Sequence, residues 1–424
     1  MERIAIIDGL RTPFCKMGTA LKDVSAQELG RLVTRELLER SAFDVRHIEE
    51  VIFGNVSQPP EAANISRVIA LLSGIPLTTP AFTVHRNCAS GIESIVNAAI
   101  KIQVGEAKCI LAGGTESMSN IPFYLTREMQ EILFQLSRAR NAIAKLKILS
   151  QFRLKYISPR AGLQSGLTDP VCGLNMGQTA EVLAKEFGIS RKEQDEFALR
   201  SHQRAASAKM KLKEEMMTIV PGPQFNTVVD SDNGPRENQS LEALAQLKPY
   251  FDKYSGTVTA GNSSQITDGA AVVIVMSEGQ ARELGLTPLG YVKAFAFAGV
   301  EPSRMGIGPA HAIPRVLKKA GMNLKDIQAV EINEAFAAQV LACLKALESA
   351  QFAKQFGYEG YSGTIPLEIL NVNGGAIALG HPVGATGTRL ILTMLKHLQR
   401  NNLKAGLVSL CVGGGQGAAV ILER

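Results

Sequence analysis

The chain has 424 residues, with 45 Lys and Arg against 39 Asp and Glu, a formal charge of +6. Apolar residues make up 46% and charged residues 20%, the balance of a folded globular chain rather than a disordered or collagenous one. No apolar run approaches the ~18 residues that span a bilayer, and the charge surplus is too small to argue for nucleic acid as a partner.

The length predicts two or three domains, or two fused halves. The N-terminal sequence MERIAIIDGLRTPF carries neither an apolar signal core nor transit-peptide character, and its Ile-Ala-Ile-Ile run reads as a first strand. The final residues, ILER, form no peroxisomal address. Cys15, Cys88, Cys109, Cys172, Cys343 and Cys411 are scattered without CxxC pairs, which disfavours zinc and a disulfide framework. The expectation is a reducing, bacterial-like cytoplasm, no metal, and free thiols.

Short Val/Ile runs alternating with helical patterns predict an α/β fold with mostly buried strands. After the first strand come a helix over about Ser25–Ser41 and a strand over Val51–Gly54. Ile48-Glu49-Glu50-Val51 is echoed 279 residues later by Ile327-Gln328-Ala329-Val330. Cys88–Gly114 is echoed by Gly384–Gly415, since in both small residues open a helix that leads to a strand ending in Gly-Gly. Two echoes in one order predict duplicated halves. The first half is assigned to residues 1–120 with 256–285 and the second to 286–424. Between them lies a polar, helix-rich insertion over 121–255, punctuated by Pro159, Pro170, Pro221, Pro223 and Gly234-Pro235.

Cys88 lies in Thr83-Val84-His85-Arg86-Asn87-Cys88-Ala89-Ser90-Gly91, after a strand and before a helical stretch over Ile92–Gln103. A thiol at a helix N-terminus feels the positive end of the dipole, which favours thiolate; the other reading is a small buried core cysteine. Asn333-Glu334-Ala335-Phe336 follows a buried strand, and Asn333 suits either a helix cap or an oxyanion-orienting role. From Asn371 to Gly387, five glycines surround His381, which Gly380 and Pro382 fix in place. The spacing matches neither GxGxxG nor GxxxxGK[ST], so a nucleotide cradle is weak and a catalytic base is the preferred reading. Ser409-Leu410-Cys411-Val412-Gly413-Gly414-Gly415 runs a strand into a cysteine and glycines whose N–H groups can face an anionic oxygen. A thiol titrates near enough to neutrality for Cys88 and Cys411 to divide nucleophile and acid/base roles.

Asn87-Cys88-Ala89-Ser90-Gly91, Asn333-Glu334-Ala335-Phe336, Gly380-His381-Pro382 and Cys411-Val412-Gly413-Gly414 resemble the four thiolase motifs, in their order. Gly256–Ser264 and Met305-Gly306-Ile307-Gly308-Pro309 also resemble thiolase segments, so the likeness covers essentially the whole chain. It implies a five-layer αβαβα thiolase fold from two similar halves, with a loop domain inserted in the first.

The resemblance further implies a 3-ketoacyl-CoA thiolase of fatty-acid β-oxidation, with no permanently bound cofactor and coenzyme A as co-substrate. Cys88 would be the nucleophile that carries the acyl group, His381 its base and an oxyanion donor, and Cys411 the acid/base. Asn333 would hold an oxyanion water, and Gly413 would supply an oxyanion N–H. Ser264, Met176 and Phe336 would meet the substrate or the pantetheine arm, and Arg236 the CoA phosphates. Asn175 stands where acetoacetyl-specific members often have His, which argues against an acetoacetyl-only enzyme. The alternatives are an acetyl-CoA acetyltransferase and a ketoacyl-synthase-type condensing enzyme, and Cys411 argues against the latter.

Leu199–Ala206, Lys211–Glu215 and the extra residues near Glu348–Gly363 resemble the thiolase subunit of trifunctional fatty-acid-oxidation complexes, which usually have His where this chain has Asn333. That likeness implies a homodimer or dimer of dimers, with a hydratase/dehydrogenase chain as a candidate partner.

Residues 132–168 contain Arg138, Arg140, Lys145, Lys147, Arg153, Lys155 and Arg160 and no acidic residue. Without these seven, 38 basic residues face 39 acidic ones, so the surplus is local. Leu136, Ala139, Ile143, Leu146 and Leu149 form an apolar stripe at helical spacing. This segment is expected to be a solvated helix face, or to dock on an acidic partner or peripherally on the anionic inner membrane.

Overall fold

A computed structural model describes residues 2–424. Nine strands follow the path of one mixed sheet: β1 (Ile4–Arg11), β2 (Glu50–Gly54), β3 (Ala81–Val84), β4 (Cys109–Ser117), β5 (Thr267–Ser277), β6 (Gly290–Gly299), β7 (Ala329–Ile332), β8 (Ala405–Val412) and β9 (Gln416–Glu423). Their spatial order is β7-β8-β9-β6-β1-β5-β4-β2-β3, with a two-residue strand, Cys15–Lys16, added to β5 off this path.

The two halves share one topology. Outward from the centre, β1-β5-β4-β2 and β6-β9-β8-β7 each take two antiparallel steps and then a parallel one. Beyond β2 the first half adds the parallel strand β3; at the equivalent place beyond β7 the second half has only a parallel bridge, Val330 to Leu370. The halves join at a seam where Ile4, Ala5 and Ile6 pair antiparallel with Val292, Tyr291 and Gly290.

Alternation along the strands sends residues to different layers. Ile4, Ile6, Val273 and Val275 enter a central core with Val408, Leu410 and Val420, and the helices Ser90–Gln103 and Val383–Arg400 lie within it. Ala5, Ile7, Val272 and Ile274 face the opposite way, onto the outer helix Ala26–Ser41. Leu407, Ala419 and Ile421 do the same for the outer helices Gly308–Ala320 and Ala337–Glu348. The result is helix, sheet, helix, sheet, helix: five layers. The central helices need small residues, because a Cβ on Gly91 would lie 2.6 Å from the Thr388 nitrogen and one on Gly387 2.5 Å from the Ile92 nitrogen.

β8 and β9 are joined by the turn Gly413–Gly415, whereas the equivalent β4 and β5 are joined by residues 118–266. That excursion is tied to β1 by Arg11, fully buried, whose guanidinium bonds Glu215 and Asp232 at 2.7 Å each. The basic apolar stripe is not one helix. Two helices, Arg127–Arg138 and Ala142–Leu149, are separated by an extended Ala139 and by Asn141, whose side chain caps the second helix by accepting from Ala144 N at 2.8 Å. Local capping outweighs the periodicity here, and Ile143, Leu146 and Leu149 stand exposed.

Candidate active site

The loop after β3 carries Cys88, and the helix behind it starts at Ser90 with Ala89 at its N-cap. The backbone N–H groups of Gly413 and of Cys88 itself favour the Cys88 thiolate. Although Cys88 is only half-buried, desolvation outweighs these donors and pushes the thiol up from its usual range, against the thiolate expected from the helix end.

Cys411 lies near the end of β8, before the turn in which Gly414 and Gly415 adopt left-handed backbone angles. It is buried in an apolar cluster with Val258, Met305 and Phe336, and Met176 and Phe251 pack against it. Burial first, then the neighbouring Cys88, raises its pKa well above the normal thiol value. Titration close to neutrality, the sequence expectation, is therefore corrected: Cys411 rests as a protonated thiol.

His381 is 7% exposed. Its backbone N–H reaches Thr267 Oγ1 at 3.1 Å, its Nδ1 lies 2.6 Å from Thr386 Oγ1, and its Nε2 lies 3.5 Å from Asn333 Nδ2. Burial, aided by the Arg389 cation, pushes its pKa down to about 3 and keeps the ring neutral. Asn333 is not a helix cap, since the next helix begins at Ala337 with Phe336 as N-cap. Its Oδ1 is buried without a partner among the described residues, as a site for an ordered water would require.

Glu334 organises the loop before His381. It accepts from Ser201 Oγ (2.6 Å), Asn371 Nδ2 (2.8 Å) and Ile377 N (3.3 Å). Ser264 donates its backbone N–H to Ala335 O at 2.9 Å, beside Phe336. Met176 opens the helix Met176–Glu186, and its sulfur would lie 3.4 Å from a Cβ on Gly413. Phe336 meets Phe251 edge to face at 6.0 Å. Arg236 is exposed, and its backbone N–H bonds His202 Nδ1 at 3.2 Å. Among the described residues, no group of three or more His, Cys, Asp or Glu could hold a metal ion. Chemically, two thiols, Cys88 and Cys411, neighbour each other, and the neutral imidazole of His381 lies against Asn333.

Residues 4–279 match the family described as thiolase, N-terminal domain, and residues 286–424 match thiolase, C-terminal domain. The chain belongs to the thiolase family. This thiolase is 43% identical to a 3-ketoacyl-CoA thiolase of Shewanella baltica (strain OS185), over 100% of this chain and 97% of that protein. Its structure resembles an acetyl-CoA acetyltransferase of Bacillus anthracis (TM-score 0.86, 37% identity, covering 100% of this chain and 99% of that one). It also resembles human mitochondrial 3-ketoacyl-CoA thiolase in complex with CoA (TM-score 0.84, 37% identity, 100% and 98% covered). The thiolase is an acyltransferase. Among the described residues, none of its helices is long and apolar enough to cross a membrane.

Sequence reading missed three groups around this thiolase site. Thr386 was legible only as a hydroxyl five residues after His381. Thr267 and Phe251 gave no signal, because their contacts depend on chain crossings far apart in sequence.

Proposed function

We propose that this thiolase cleaves 3-ketoacyl-CoA with coenzyme A, giving acetyl-CoA and a shortened acyl-CoA, as in fatty-acid β-oxidation. The observation that carries this reading is that Cys88, whose thiolate the Gly413 N–H favours, neighbours the buried thiol of Cys411, while His381 Nε2 and Asn333 Nδ2 face each other at 3.5 Å. Cys88 attacks the keto carbon and its proton passes to His381 Nε2. The C2–C3 bond breaks, the acyl group stays on Cys88, and Cys411 protonates the acetyl-CoA carbanion. Incoming CoA returns a proton to Cys411, its sulfur takes the acyl group, and His381 reprotonates Cys88. His381 with a water on Asn333 stabilises one oxyanion, and the N–H groups of Cys88 and Gly413 the other. Coenzyme A enters as substrate, with Ser264, Met176 and Phe336 along its arm and Arg236 toward its phosphates.

The test is acetyl-CoA release from a ladder of 3-ketoacyl-CoA lengths by wild type and Cys88→Ser. The expected result is turnover beyond acetoacetyl-CoA, lost in the variant. Turnover of acetoacetyl-CoA alone would favour an acetyl-CoA acetyltransferase, and full activity in Cys88→Ser would remove Cys88 as nucleophile.

The reading extends to assembly. β3 has a free edge, flanked by exposed Leu72, Leu77 and Val104, which supports a homodimer or dimer of dimers. Residues 132–168 combine seven cations with exposed Phe134, Ile143, Leu146 and Leu154, which supports docking on an anionic inner-membrane surface or on an acidic hydratase/dehydrogenase chain. Binding to anionic vesicles that weakens with salt supports the membrane version; recovery of such a chain in complex supports the other.

A further inference from the structure

Asn87 precedes the nucleophile position and has φ of 42°, a left-handed angle uncommon for a residue with a side chain. The angle is held from both sides. Its carbonyl accepts from Ser90 Oγ at 2.7 Å and from Ser90 N at 3.0 Å. Ser90 Oγ also accepts from Arg86 N at 2.9 Å, closing a tight loop around Cys88. The backbone twist carries the Asn87 carboxamide out of the first half and across to the second, where Nδ2 donates to Gly413 O at 2.7 Å. Gly413 is also the residue whose N–H favours the Cys88 thiolate. A Cβ on Gly413 or Gly414 would lie 3.7 or 3.8 Å from Nδ2, so the amide lies against this turn.

We propose that Asn87 is a positioning residue: its amide sets the Cys411–Gly413 loop in register with the Cys88 sulfur, so that the Gly413 N–H meets the charge that develops there. The two sides of this bond are 326 residues apart and belong to different halves. The Gly413–Gly414–Gly415 turn has no side chain with which to fix itself, so an external donor on its carbonyl restricts it where glycine otherwise leaves it free. The left-handed angle at Asn87 is the local strain that accompanies this placement.

This inference rests on Cys88 being the nucleophile, and the experiment separates the two. Asn87→Gly keeps the left-handed backbone accessible and removes only the amide, whereas Asn87→Ala also adds backbone strain. Full-length wild type, Asn87→Gly, Asn87→Ala and Cys88→Ser are compared for thiolysis kinetics, thermal midpoint and the pH dependence of iodoacetamide alkylation at Cys88, located by peptide mapping. For Asn87→Gly the expected result is a fall in kcat of about tenfold or more, short of the ~10²–10³ for outright loss of an oxyanion donor. KM stays within about twofold, and the alkylation profile moves to higher pH because the Gly413 N–H no longer favours the thiolate. Wild-type kcat and profile in Asn87→Gly would overturn the proposal. So would a loss of kcat that tracks a lowered thermal midpoint with the profile unchanged, as a merely structural role requires. Failure of the nucleophile reading shows instead as full turnover in Cys88→Ser.

Discussion

The Nδ1 atom of His381 lies 2.6 Å from Thr386 Oγ1, and that hydroxyl lies 2.9 Å from the Pro382 carbonyl. A carbonyl only accepts, so the threonine proton points at Pro382 and its oxygen accepts from His381 Nδ1–H. Nε2 is then the bare nitrogen, on the side of Asn333. Thr386→Val removes this constraint and lets the ring take the other tautomer. A positioned base contributes ~10²–10⁴ to rate, and the variant is expected to forfeit about ten- to a hundredfold of it in kcat, with KM nearly unchanged. Steady-state thiolysis checks this, and an unaltered kcat would refute the tautomer argument.

Cys88 is raised and His381 lowered, so at neutral pH both are uncharged rather than a thiolate–imidazolium pair. The sign follows directly: the thiol loses its proton only above its ordinary range, and the imidazole gains one only near pH 3. Alkylation of free Cys88 should keep rising through the alkaline region, past the ~8.5 of an ordinary thiol. Neither that profile nor kcat/KM should show an acid limb near the ~6.5 of an ordinary histidine. A plateau reached already at pH 7 would mean a preformed ion pair.

Cys411 sits protonated in an apolar cluster, suited to deliver a proton to carbon. Cys411→Ala should therefore abolish deuterium uptake into the acetyl methyl group of acetyl-CoA in heavy water, while Cys88 can still be alkylated. Mass spectrometry of acetyl-CoA reads the first and peptide mapping the second. Persistent exchange would assign that proton to another group.

The parts of the site legible in the sequence are those that punctuate it. Cys88, Asn333, His381 and Cys411 each stand where a strand, helix or glycine run changes character, and the alternating Ile and Val residues of β1 and β5 mark both faces of the sheet. What stayed hidden depends on three-dimensional neighbours. Burial decides the direction in which Cys88 and Cys411 titrate, and no local pattern reports it. The Asn87–Gly413 bond crosses between halves, and Thr267 reaches His381 from the far side of the insertion. The single helix read across Leu136–Leu149 failed because a lone capping asparagine, Asn141, weighs little in a periodicity and decisively in a backbone.

Gly91 should tolerate no side chain. Its virtual Cβ meets backbone at Thr388 and Gly384, neither of which can rotate away, so Gly91→Ala must push the two central helices apart. A cost of about 1–3 kcal/mol is expected, read as a lowered denaturation midpoint. Since these helices start beside Cys88 and His381, activity should fall as well, and an unchanged midpoint would show that the layer yields easily.

One connection distinguishes the two halves most sharply: a three-glycine hairpin in the second, residues 118–266 in the first. Both join neighbouring antiparallel strands whose register is fixed by the sheet itself, so that register does not depend on the length of the link. The short link follows directly on Cys411, while the long one brings Met176 and Phe251 against it. Change in the long link can therefore alter what surrounds Cys411 while the strands that carry it keep their register.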